Sequence, residues 1–210
     1  MTESRTERSD AARNRVAVLR ATEKLLVEHG AEHISLDRVA AQAGVGKGTV
    51  FRRFGNRTGL FAALVEERTE TLNQDIETGP PPLGPGAAPL PRLRAFLDAL
   101  ADLAARHVSL FAAHEQACGP GRFTSPTYLA WHRHVSGLLA MVRVGDAEAT
   151  AHALLAAFDA DLVRLLCPDG RPDRLAETVK NLATALMSEH PSTVEQVTRS
   201  GVADSSSGRA

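Results

Sequence analysis

The chain has 210 residues, a formal net charge of −1 and only two cysteines, Cys118 and Cys167, which are far apart and lack metal-type spacing. That length gives ample material for a buried core. Without a long apolar run or a leader pattern, a cytoplasmic protein with reduced thiols and no membrane partner is expected. Charge is divided unevenly. Residues 1–60 hold 11 Lys+Arg against 7 Asp+Glu, and the remainder holds 13 against 18. The first part therefore carries +4 and the rest −5, an asymmetry that suits a basic N-terminal surface meeting phosphates and an acidic body kept away from them.

In chain order, residues 1–10 are polar and lack an apolar period, which predicts a disordered arm in which Arg5 and Arg8 are free to touch DNA. A helix follows over about 11–29, with Val18, Ala21, Thr22 and Leu25 as its inward stripe and Gly30 as its stop. Ile34 seals the next join. Ser35 caps a short helix whose apolar stripe is Leu36, Val39, Ala40 and Ala43. Gly44 supplies a residue able to take positive φ where that helix turns. Val45 plugs the angle, and Val50 and Phe54 anchor a second short helix, leaving Lys47, Thr49, Arg52 and Arg53 facing out. Two short helices over a tight turn, the second basic outside, describe a helix-turn-helix.

These residues resemble the DNA-binding domain of the TetR (tetracycline-repressor-like) family of bacterial transcriptional regulators. The resemblance is carried by Ala40, Ala43-Gly44-Val45, Gly48-Thr49-Val50-Phe51, Phe54, Arg57 and Leu60, with Gly30 ahead of them. It covers about residues 11–65; beyond them only length and helical character agree. In helix-turn-helix geometry the second helix lies in the major groove with its first residues nearest the bases. Lys47 then donates to guanine, and Thr49 offers a hydroxyl or a methyl to thymine. Gly48 allows close backbone approach, Arg52 and Arg53 reach bases or phosphates, and Arg57 holds a phosphate beside a helix N-terminus. A merely solvated basic face is the alternative. With Ser35, Gly46 and Phe51, these make up the candidate DNA-binding set. The family usually has Ser or Thr where Gly46 stands, Tyr where Phe51 stands and Lys where Arg57 stands. The first two departures remove hydroxyls that contact phosphate.

Asn56 caps a long fourth helix through Leu60, Phe61, Leu64, Val65, Leu72 and Ile76 to about residue 78. Residues 79–91 are rich in Pro and Gly and form a connector. Leu93, Phe96, Leu97, Leu100, Leu103 and Ala104 mark the next helix; others follow over about 109–117, from a cap at Ser125 or Thr124 through Val142, and over about 146–167 and 172–188, and residues 191–210 are expected to be disordered. The domain reading is a disordered arm at 1–10, a helix-turn-helix domain at 11–58, a helical effector-binding and dimerisation domain at 59–190, and a tail. Nine helices and no strand give an all-α fold.

The resemblance further implies a homodimer on a near-palindromic double-stranded operator, released by a small-molecule effector. The effector cavity would be lined by Phe111, His114, Phe123, Tyr128, Trp131, His132 and Phe158, residue types that are more often simple core packing. The last two helices would pair between subunits through Leu154, Leu155, Phe158, Leu162, Leu175, Val179, Leu182 and Leu186. No enzyme is expected, for there is no His-Glu-x-x-His pair, nucleophile elbow, phosphate loop or dinucleotide fingerprint, and hence no cofactor or metal. A ligand- or metal-responsive activator of the same build, and a nonspecific architectural DNA-binding protein, are the competing functional readings.

Overall fold

A computed structural model describes residues 3–188. Among them are ten α-helices and no strand: α1 (Glu3–His29), α2 (Leu36–Ala43), α3 (Lys47–Phe54), α4 (Arg57–Thr78), α5 (Pro89–Arg106), α6 (Val108–Cys118), α7 (Pro126–Met141), α8 (Ala147–Ala156), α9 (Ala160–Leu166) and α10 (Asp173–Ser188). Short 3₁₀ turns cover Ala31–His33 and Gly119–Thr124. The all-α class read from the sequence is the observed one.

Two apolar cores form, and α4 runs through both. The first gathers Val18, Leu19, Leu25 and Leu26 of α1, Val39 and Ala40 of α2, Val50 and Phe54 of α3, and Leu60, Phe61, Leu64 and Val65 of α4. Leu110 and Ala113 of α6 close it from below. The second gathers Leu72 and Ile76 of α4 with the apolar faces of α5 and α7–α10. Burying each such Leu or Phe contributes about 1.5–3 kcal/mol, so each core is held by many side chains. Phe111 packs against both cores.

Polar contacts fix how the helices lie. Arg68 of α4 grips the Glu23 carboxylate of α1 with two nitrogens, the Nε–Oε1 distance being 2.8 Å, and Arg15 reaches Glu67 at 3.0 Å. The Arg68 hydrogen bond holds the Glu23 carboxyl below its usual range. On the far side, Lys180 of α10 meets Asp98 of α5 at 2.6 Å, and Arg94 donates to the Thr184 hydroxyl at 2.9 Å.

Three boundaries differ from the sequence reading. Helix α1 starts at Glu3, so residues 3–10 of the expected arm are helical backbone. The stretch lacks Pro and Gly, and extending an already packed helix is far easier than nucleating a new one. The connector ends at Ala88 instead of residue 91, because Pro89 takes the first helical position of α5, where a missing N–H is harmless. The single helix expected over about 146–167 is two, since Asp159 accepts from the Asp161 N–H and caps a fresh start. That gives ten helices where nine were expected. The expected tail at 191–210 lies outside the described residues.

Candidate nucleic-acid interface and effector cavity

Gly44 has φ +67° and ψ 29°, the left-handed conformation. Its N–H donates to the Ala41 carbonyl at 3.3 Å, and the Val45 N–H donates to the Ala40 carbonyl at 3.1 Å. This pair of reversed bonds is a Schellman end to α2, with Val45 turned onto the first core. The Ser35 hydroxyl accepts from the Arg38 N–H at 3.2 Å and starts the same helix. Ser35 is thus a cap on the exposed rim.

Helix α3 begins after Gly46, which caps without any side-chain bond. Val50 and Phe54 are buried beneath it. Lys47, Gly48, Phe51, Arg52 and Arg53 are exposed on its outer side and Thr49 is half-buried. Phe51 is 62% exposed, a large apolar ring that the described residues leave uncovered. Arg53 donates to the Ala11 carbonyl of α1 at 3.3 Å, so it is steadied across the groove between α1 and α3. Arg57 sits at the first position of α4 with its guanidinium 5.4 Å from the centre of the Phe61 ring and its buried Nε without an acceptor. The sequence reading missed Asp37. Its carboxylate lies 2.8 Å from the Lys47 ammonium, bridging α2 to α3 over the outer face. Ten residues separate the two, so only the turn at Gly44 reveals the pairing.

A cavity of about 130 Å³ opens between α4, α5, α6, α7 and α8 and the 3₁₀ turn. Six of the seven expected effector residues line it: Phe111, His114, Phe123, Tyr128, Trp131 and Phe158. His132 does not. Its Nε2 lies 3.1 Å from the Glu148 carbonyl oxygen, and its ring centre is 4.0 Å from that of His152, so it braces α7 against α8. The sequence reading missed Val65 of α4 and the polar wall of Glu115, Arg122 and Asp159. Glu115 accepts from the Ala160 N–H at 3.2 Å, at the start of α9. Burial pushes its carboxyl above the usual range. Arg122 lies 3.6 Å from the Asp159 carboxylate and its guanidinium carbon is 4.5 Å from the centre of the Phe123 ring. Burial, then the charge of Arg122, pulls the His114 imidazole below its ordinary value and keeps it neutral.

Residues 18–64 match the sequence profile of bacterial regulatory proteins of the tetR family. Over those residues the chain is similar to the TetR family. That family comprises DNA-binding regulators, not enzymes. An HTH-type transcriptional regulator of Staphylococcus aureus is 34% identical over 65 residues, which are 31% of this chain and 35% of that protein. The match thus spans about a third of the relative's length and falls short of its remaining part. Solved structures extend the likeness in fold alone. A TetR-family regulator from Syntrophomonas wolfei superposes with a TM-score of 0.67 at 15% identity, over 86% of this chain and 97% of that one. One from Rhodococcus sp. gives 0.62 at 20%, over 84% and 100%.

The expected subunit-pairing residues divide sharply. Leu154, Leu155, Phe158, Leu175 and Val179 are buried in the chain's own second core, so they have no face left for a partner. The apolar periodicity that singled them out reports intrachain packing. Leu162 and Leu186 are half-buried, and Leu182 is 55% exposed. Leu165, outside the expected pairing set, is 72% exposed on α9. Among the described residues no helix is long and apolar enough to cross a membrane.

Proposed function

We propose that the chain is a cytoplasmic, sequence-specific transcriptional repressor that binds a near-palindromic operator as a homodimer and is released by a small, largely apolar effector. The observation that carries this reading is the continuity of α4. It begins at Arg57 beside the outer face of α3, builds the helix-turn-helix core with Leu60, Phe61 and Leu64, and lines the cavity with Val65. Phe111 makes a second link, since it lines the cavity and packs against both cores. A ligand that fits the cavity best when α4 and α6 are displaced then favours a placement of α3 that no longer matches the groove.

In this reading Lys47 and Thr49 read base edges, Arg52, Arg53 and Arg57 hold phosphates, and Gly48 lets the backbone approach. A Cβ at Gly48 meets nothing within 4 Å, so that space is open for DNA. Leu165, Leu182 and the half-buried Leu162 and Leu186 are among the apolar side chains that α9 and α10 offer to a second copy.

In vitro transcription from a promoter carrying a selected operator separates the two regulatory senses. A repressor lowers transcript yield on addition of protein, and the activator reading predicts a rise. A compound that binds the cavity tightly yet leaves operator affinity unchanged contradicts the switch.

A further inference from the structure

We propose that the effector is a compact organic cation carrying a single ring, its ammonium on Glu115 and its ring among the aromatic walls. The inference rests on the effector-cavity reading and adds the ligand's size and sign.

Size comes first. A cavity of about 130 Å³ is close to the volume, on the order of 150 Å³, at which an apolar protein cavity takes up benzene. A single ring fills that space, and a larger molecule extends out through the open mouth. The walls then set the character of the ring's surroundings. Trp131, Phe111, Tyr128 and Phe123 present π-systems, whose faces attract cations.

Sign follows from the polar wall. Among the described residues Arg122 is the only arginine or lysine in the lining, and it faces Asp159 at 3.6 Å while lying over Phe123. Its charge is already answered, so an anionic ligand finds no unengaged partner. Glu115 differs. Its hydrogen bond is with a neutral backbone N–H at Ala160, and among the described residues no cation forms an ion pair with it. Arg122 and Asp159 offset one another, so Glu115 decides the sign of the lining, and a bound ammonium favours its ionised form. His114 adds a second polar group to the wall: it is only 7% exposed and lines the cavity. A neutral imidazole offers one acceptor, which an ammonium can also use.

Trp131 is the chain's single tryptophan, so its fluorescence reports occupancy directly. The test titrates the full chain with benzylamine, benzyl alcohol and benzoate at pH 7. These share one ring and differ in charge. Benzylamine is expected to bind at least about tenfold more tightly than benzoate, with benzyl alcohol between them. Glu115→Gln is expected to weaken benzylamine about tenfold and benzyl alcohol much less. Asp159→Asn keeps a side chain able to cap α9 and releases Arg122, so benzoate binding is expected to strengthen; this variant stands even if Glu115→Gln fails to fold. Benzoate binding best, or equal affinities for all three, overturns the cationic class while leaving the cavity as the effector site. No response of Trp131 to any of them overturns the proposed size and class together. Operator release by a different compound then still upholds the regulator reading.

Discussion

At single residues, the outer face of α3 shows two features that set DNA affinity. Phe51 points its ring outward where the family usually places a tyrosine hydroxyl on a phosphate. Phe51→Tyr is expected to restore one such bond, tightening operator binding about fivefold, or about 1 kcal/mol. Unchanged affinity by fluorescence anisotropy would mean Phe51 does not face a phosphate. Asp37 is the second feature. Its carboxylate neutralises Lys47 at 2.8 Å on an exposed surface, where such a pair is worth at most about 1 kcal/mol to folding. Asp37→Ala frees the ammonium for DNA and removes a repelling charge. Operator affinity is expected to rise several-fold and thermal stability to change little. Lys47 was legible in the sequence as a DNA-facing cation, but its partner was not, because a helical turn had to bring two separate helices together.

At the level of elements, the helix-turn-helix was legible because its geometry depends on a few backbone-specifying residues. Ser35 caps, Gly44 turns, and Val50 and Phe54 anchor, each where the pattern placed it. Gly44→Ala is expected to cost about 1–2 kcal/mol in urea unfolding, since an L side chain disfavours φ +67°. The open space around it leaves only that conformational cost. Gly59 differs in kind. A Cβ there would run into the Phe54 carbonyl oxygen, so Gly59→Ala should pry α3 from α4 and impair DNA binding as well as stability. What the sequence concealed at this scale were interruptions without glycine or proline. The break at Ala157–Asp159 is set by an aspartate cap inside an otherwise continuous apolar pattern, and the helical start of α1 by propagation from packed residues further along. Burial itself was readable, but not its direction. Leu175 and Val179 have the periodicity of a pairing face and spend it inside their own chain.

Across the whole molecule, α4 and α6 join two cores, and titratable groups buried in the larger one make stability depend on pH. His134 of α7 stacks edge-on against Phe96 at 5.1 Å with its Nε2 unpartnered. Burial, then the charge of Arg92, pulls its imidazole from 6.5 down to about 4. The unfolded chain therefore binds more protons between these values, and the stability is complete above pH 6.5 and lost as pH falls towards 4. His114 shifts in the same direction. The loss from His134 is expected to reach at most about 3 kcal/mol. Urea unfolding at pH 7.5 and pH 5 should show it, and His134→Gln should shrink the difference. An unchanged difference would assign the acid sensitivity elsewhere. The cavity lies at this scale too: its aromatic walls were legible as residues, whereas the Glu115–Arg122–Asp159 wall draws on α6, a 3₁₀ turn and the start of α9, which no local pattern connects.

The central claim, that the outer face of α3 reads a symmetric DNA site, is tested most directly by selecting bound duplexes from a random pool at near-physiological salt, where nonspecific attraction is weakened. The account predicts enrichment of an inverted repeat with half-sites about one helical turn apart or more, as a two-fold pair of α3 helices requires. No enriched sequence, with binding that vanishes as salt rises, would contradict it and leave only the charge of the N-terminal surface acting on phosphates.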